Sequence, residues 1–266
     1  MNLQERVERY KGRNFQDVDA EVLVLIEGSA AAIFTVFPNH FILCGGASLV
    51  LFHQSPRLSR DLDLLASPAK LPSSEEIQSV VGSSIQPIAE TFGLGQLNFR
   101  EDSASPDFVR HWVIANQKPL FSIDLSRIVG NVLQSQIIKQ TITGVPDKTV
   151  LTLSANYLLL QKCETFLGRR YLKARDAFDI HLLLTRSALL DEILQAHLED
   201  SIVMKEIHLE STIENRIQSV NTKLCTVELR TVLPPIIFDE LAKNEFEPIR
   251  KSLRTVFSHW LGEPEQ

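Results

Sequence analysis

The stretch from Phe41 to Leu65, FILCGGASLVLFHQSPRLSRDLDLL, constrains this chain more than any other. An apolar run meets a Gly-Gly pair, then come a second apolar run, a basic loop and an alternating D-L-D-L-L segment. That order predicts strand, turn, helix, loop and strand. Side chains two apart on a strand share a face, so Asp61 and Asp63 point one way while Leu62 and Leu64 face a core. The Gly45-Gly46 turn opens the helix, where first-turn N–H groups suit an anion. One end of the stretch fits phosphate and the other fits Mg²⁺, the pairing that handling a nucleotide requires.

Upstream, apolar residues recur at helical spacing from Val18 to Phe37, and Pro38-Asn39 stops them. Phe41 to Cys44 reads as a strand covered on both faces, followed by a helix from Ala47 to His53 and a strand from Arg60 to Leu65. A Pro- and Ser-rich loop, Ala66 to Ser74, leads to a helix from Glu75 to Phe92. Gln96 to Arg100, Phe108 to Ala115 and Leu120 to Leu125 read as a meander, and Gln136 to Ile142 as a further strand. In the third meander strand Ser122 and Asp124 share a face opposite Phe121, Ile123 and Leu125.

After Leu153 the pattern is helical: Ala155 to Leu167, Ala174 to Leu184, Leu189 to Leu198, Ile202 to Val220, Ile236 to Ala242 and Phe246 to Trp260. The expected class is α+β, with a small mixed sheet flanked by helices over residues 1–146 and an all-helical domain over 147–266. Trp112, Trp260 and most of the 14 Phe residues fall in apolar periodic segments and read as core.

Composition narrows the partners. The 266 residues are 44% hydrophobic and 23% charged, as in a soluble globular protein. A formal charge of −6 argues against a general nucleic-acid coat, though not against a local basic groove. Cys44, Cys163 and Cys225 form no CxxC pair and read as free thiols in a reducing compartment. MNLQERVERYKGR lacks a signal-peptide apolar region, and the longest apolar runs are too short to span a bilayer. A cytoplasmic protein with no membrane partner is the expectation. HExxH, GxSxG and Walker-type motifs are absent from the sequence.

Each charged group also has a bland reading. Asp61 and Asp63 could be solvated carboxylates on an edge strand, Asp124 could merely end a strand, and Arg175 could pair with Asp179 at i,i+4. His53 and His181 fit packed, hydrogen-bonded histidines. Context favours chemistry. Three carboxylates on neighbouring strands can hold two Mg²⁺ ions about 3.5–4 Å apart for an in-line phosphoryl displacement. Asp124 would then accept the proton of the attacking hydroxyl. In the helical half, Lys162 sits at the edge of an apolar stripe with Arg169, Arg170, Lys173 and Arg175 close behind.

These residues carry a resemblance. GGASL, then H-x-x-x-R-x-S-x-D-x-D through His53, Arg57, Ser59, Asp61 and Asp63, and later Lys162, Arg169-Arg170 and K-A-R-D-A-F-D-I, stand in the order of the AbiEii-type nucleotidyltransferases. That family comprises toxins of type IV toxin–antitoxin and abortive-infection systems within the DNA polymerase β-like superfamily. The resemblance implies a nucleotidyltransferase-like N-terminal domain and a helical domain closing the nucleotide cleft. It implies phosphate binding by Gly45, Gly46, Ser48, Arg57, Ser59 and Lys162, metal binding by Asp61, Asp63 and Asp124, and completion of the site by Asp176. Asp61, Asp63, Asp124 and Lys162 would be the catalytic set. Ala47 stands where family members often carry Ser or Thr.

The implied activity is Mg²⁺-dependent (or Mn²⁺-dependent) transfer of a nucleoside monophosphate from an NTP to an acceptor hydroxyl. RNA or tRNA is the implied acceptor, and a nearby-encoded antitoxin the implied restraint. The rivals are a nucleotide-binding phosphotransferase and an inactive nucleotidyltransferase-fold binding module.

Overall fold

Strand β1 (Phe41–Cys44) has every residue buried, and its place in the sheet explains why. In the computed structural model seven strands form one sheet in the order β3 (Asn98–Ser105), β4 (Phe108–Ala115), β5 (Lys118–Arg127), β2 (Asp61–Ala66), β1, β7 (Thr149–Leu153) and β6 (Ile137–Thr141), which puts β1 in the interior. The structure describes residues 1–66, 71–105, 107–128, 132–145, 148–201 and 209–261, without the side chains of 103–104 and 209–211. Part of the expected 66–74 loop, and the first residues of the helix expected from Ile202, lie outside the described residues.

Two compact units divide the chain, Met1–Leu153 and Ser154–Gln266. The first extends to Leu153 because β7 (Thr149–Leu153) is part of its sheet and pairs in parallel with β1. The sequence reading passed over β7. It is short, and it adds its Val150 and Leu153 to the core without a long alternation to announce it.

The sheet is mixed. Strand β2 (Asp61–Ala66) lies antiparallel to β1 and parallel to β5 (Lys118–Arg127). The strands β3 (Asn98–Ser105), β4 (Phe108–Ala115) and β5 form the expected antiparallel meander. Strand β6 (Ile137–Thr141) closes the far edge against β7. Alternation along β2 sends Leu62, Leu64 and Ala66 into the core and leaves Asp61 and Asp63 partly exposed on the other face.

Helices cover the apolar face. Helix α2 (Asp17–Val36) is buried on most of its circumference, which is why its sequence is apolar with little amphipathic pattern. It packs against α4 (Ser74–Thr91), whose start is fixed by a capping box between Ser73 and Glu76. Two helices are not among the sequence expectations, Thr222–Leu229 in the second unit and α1 (Leu3–Lys11), which opens with a capping box between Asn2 and Glu5. Its inner face combines Leu3, Val7 and Tyr10 on the core with an ionic contact. Arg6 Nε and Arg9 Nη2 donate to the buried Glu27 at 3.0 and 2.6 Å, and the Gly144 N–H donates to the same carboxylate at 3.0 Å.

The second unit is helical throughout its described residues. Helix α5 (Ala155–Gly168) starts at a Ser154 cap, and α6 (Ala174–Thr185) packs along it. Further helices span Glu192–Asp200, Leu209–Ser219, Thr222–Leu229, Pro235–Lys243, Glu247–Val256 and Ser258–Leu261. Their core includes Leu158, Cys163, Ile180, Ile217 and Leu253, with the Phe166 and Phe257 rings stacked at 5.9 Å. Cys44, Cys163 and Cys225 are all buried. No helix among the described residues is long and apolar enough to cross a membrane.

Candidate active site

The polar face of the first unit's sheet is built in rows. Register pairs Asp63 with Asp124 across β2 and β5, and Asp124 with Arg110 across β5 and β4. The next row holds Asp61, Ser122 and Trp112. Parallel pairing of two strands far apart in sequence thus places the three sequence-predicted carboxylates on one surface. Ser122 Oγ donates to Asp61 Oδ1 at 3.0 Å.

Above Asp63 lies the glycine turn. Helix α3 (Gly45–Phe52) begins directly after β1, and Gly45 takes a φ of +65°, a region that favours glycine. A Cβ at Gly45 would overlap the Asp63 carboxylate, and one at Gly46 would overlap Ser59 Oγ and lie 2.8 Å from Arg57 Nη2. Glycine is therefore required twice, to let the backbone close on β2 and on the loop before it. This close approach brings Gly45, Gly46, Arg57, Ser59 and Asp63 together. Arg57 and Ser59 are both buried, and Arg57 Nη1 donates to Leu58 O at 3.0 Å.

Ser48 stands apart from this group. Its hydroxyl is fully buried, 2.9 Å from Thr152 Oγ1, which in turn donates to Leu43 O. It anchors α3 to the sheet.

Arg110 is the residue that sequence reasoning missed. Its Nε donates to Asp124 Oδ1 at 2.8 Å and its Nη2 to Oδ2 at 2.5 Å, a two-pronged bond that engages both carboxylate oxygens. The guanidinium also lies 5.2 Å from the Trp112 ring centroid and 5.6 Å from that of Phe108. Trp112 is therefore not core, as its apolar setting implied; it is half-buried on the carboxylate face, and Trp260 is likewise only part-buried. The Arg110 pKa is raised, first by the hydrogen bond to Asp124 and then by the charges of Asp124, Asp61 and Asp63, with burial opposing. No short sequence pattern announces Arg110, because its role depends on the β4–β5 register.

These donors suit a hard cation. Asp61, Asp63 and Asp124 offer only oxygen ligands, the kind Mg²⁺ and Mn²⁺ take. Asp61 and Asp63 are partly exposed beside the glycine turn, whereas Asp124 is already engaged by Arg110. As the side chains stand, no three His, Cys, Asp or Glu residues among those described are placed to hold a metal ion. The donor chemistry fits such an ion, with Asp61 and Asp63 more exposed than the buried Asp124.

The second unit has its own charged cluster. Lys162 Nζ lies 2.8 Å from Asp179 Oδ2 and 3.4 Å from Asp176 Oδ1, with both carboxylates buried. Arg169 Nε is 3.1 Å from Asp176 Oδ2, an ion pair without hydrogen-bond alignment. Asp176 and Asp179 are one turn apart on α6, so both face α5. Asp179, considered from sequence only as a partner for Arg175, is instead a partner of Lys162. Lys173 pairs with Glu228 at 3.2 Å, and Glu228 also accepts from the Ala174 N–H at 2.7 Å at the start of α6. His181 is a packed histidine, its Nδ1 2.8 Å from Ser252 Oγ and its pKa lowered by burial.

Known structures share this architecture. A Helicobacter pylori protein described as a candidate nucleotidyltransferase superposes with a TM-score of 0.58 at 12% identity, covering 95% of this chain and 100% of that one. JHP933 of Helicobacter pylori gives 0.53 at 16% identity, covering 88% of this chain and 91% of the other. At such low identity the likeness is one of fold, and the fold class is nucleotidyltransferase-like. Sequence carries the assignment further. The profile of the family described as "Nucleotidyl transferase AbiEii toxin, Type IV TA system" matches residues 30–263, and the chain belongs to that family of nucleotidyltransferase toxins. No curated protein matches it by sequence.

Proposed function

We propose that this nucleotidyltransferase transfers a nucleoside monophosphate from an NTP to an acceptor hydroxyl, in a Mg²⁺- or Mn²⁺-dependent reaction that releases pyrophosphate. One observation carries the reading. The glycine turn closes directly on the Asp61-x-Asp63 strand, and Asp124 stands in register beside it. A phosphate-suited helix start and an oxygen-rich cation face thus meet at one place.

The residues divide the work by chemistry. Gly45 and Gly46 present the start of α3 to the triphosphate, with Arg57 and Ser59 behind them to steady it. Asp61, Asp63 and Asp124 would hold the divalent ions, which when bound would neutralise phosphate charge and stabilise the pentavalent arrangement at phosphorus. Asp124 receives the proton of the acceptor hydroxyl as its oxygen bonds to the α-phosphorus and the bond to the bridging oxygen of pyrophosphate breaks. Lys162, oriented by Asp176 and Asp179, is assigned to the triphosphate charge. The energetic contribution lies in positioning and charge stabilisation.

Family membership supports an RNA or tRNA acceptor, an antitoxin partner and action in the cytoplasm, all parts of the same proposal. Incubation with RNA and NTPs labelled at either the α or the γ phosphorus tests the reaction. Label from the α position should enter RNA in wild type and not in Asp63→Ala. Transfer of the γ label alone would replace this reading with phosphotransfer.

A further inference from the structure

The row Asp63, Asp124, Arg110 runs straight across three strands, so the site contains two kinds of charge in register. Arg110 is not a distant structural partner. It stands on the same face as the proposed metal ligands and engages both oxygens of the third carboxylate.

We propose that Arg110 is the resident counter-ion of Asp124, which a divalent ion must displace there, and that its freed guanidinium then binds the triphosphate arriving with the ion. The inference rests on the nucleotidyltransferase reading of this face and adds a residue to it. Three features argue for exchange over permanent pairing. First, a cation beside Asp124 would be repelled by a guanidinium already in contact with that carboxylate. Second, the Arg110 side chain is 32% exposed, against 7% for Asp124, so the arginine is the partner with room to move. Third, the guanidinium already lies beside the Trp112 and Phe108 rings on β4, so part of its stabilisation does not depend on the carboxylate. Its forked donors match phosphate oxygens as well as carboxylate oxygens. Metal alone then meets an occupied Asp124, while metal carried by a triphosphate brings the anion that takes Arg110 away.

The test is Mn²⁺ binding to the full chain, read by electron paramagnetic resonance, with Mn²⁺ alone and with Mn²⁺ plus inorganic tripolyphosphate. In Arg110→Gln, free Mn²⁺ should bind roughly tenfold tighter than in wild type, while uptake of the Mn²⁺–tripolyphosphate complex should weaken. Opposite signs are the signature, since a merely structural arginine would weaken both or neither. In an Asp124→Asn background the tightening on Arg110→Gln should vanish. Arg110→Lys keeps the charge but cannot span both oxygens, and should show the same signs at smaller size, so the test survives if the Gln variant unfolds. Unchanged or weaker Mn²⁺ binding in both Arg110 variants would overturn the exchange and leave the nucleotidyltransferase reading intact. Failure of wild type to bind Mn²⁺ in either form would overturn both.

Discussion

The two charged clusters of this protein solve opposite problems. On the sheet, Asp61, Asp63 and Asp124 share a face, and Arg110 engages Asp124 directly. In the helical unit, Asp176 and Asp179 are matched by Lys162 and Arg169. The first group sets three carboxylates in two adjoining rows of one sheet face, the arrangement that the proposed function uses for a cation. The second is balanced within itself, and buried balance of that kind makes each member structural as well as available to a ligand. Carboxylates therefore mean different things in the two places.

Lysine removal should separate the clusters most sharply. Lys162→Met leaves two buried carboxylates without their shared ammonium, and should cost about 3–5 kcal/mol of stability in urea unfolding followed by circular dichroism. Asp61→Asn in the sheet cluster should cost under about 0.5 kcal/mol, because Asn keeps the acceptor for Ser122 Oγ and removes a charge from beside two other carboxylates. Equal losses in the two cases would erase the distinction.

A smaller effect compares one histidine from each unit. Burial lowers both His111 and His181 below the usual 6.5, and for His111 the charges of Glu101 and Asp124 oppose the shift. With the folded pKa depressed, the unfolded chain takes up protons first. Stability is thus full above about pH 6.5 and is lost as pH falls toward the folded value. The two differ in partners, since neither ring nitrogen of His111 has a hydrogen-bond partner, whereas His181 has Ser252. Melting curves between about pH 7.5 and 5 should show the acid loss shrinking in His111→Leu. No change in that variant would mean that other groups govern the acid limb.

The same contrast explains what could be read from sequence. Local periodicity sufficed for Asp61 and Asp63 on β2, for Asp124 on β5, and for the helix that carries Lys162. Features that depend on register or on distant partners stayed hidden. Arg110 acquires its role only when β4 pairs with β5, and Asp179 prefers Lys162 on another helix to its neighbour Arg175 one turn away. Helix α1 has only Leu3, Val7 and Tyr10 as an apolar stripe on the core, set among charged residues of which Arg6 and Arg9 serve Glu27, a partner far along the chain. Ser48 looked like a phosphate-facing hydroxyl by position, yet its place on α3 turns it inward to Thr152.

The central claim is that the sheet cluster is kept for a cation and a nucleotide, at some expense in stability. Calorimetric titration of wild type and Asp61→Asn with Mg²⁺ and each of the four NTPs, alongside their melting temperatures, tests it most directly. Asn keeps the acceptor for Ser122 Oγ while removing the charge. The account predicts that wild type binds at least one Mg²⁺–NTP, that Asp61→Asn binds it at least about tenfold more weakly, and that the variant melts no earlier than wild type. Equal nucleotide affinity in the two proteins, or an early-melting variant of a wild type that binds no nucleotide, would contradict it.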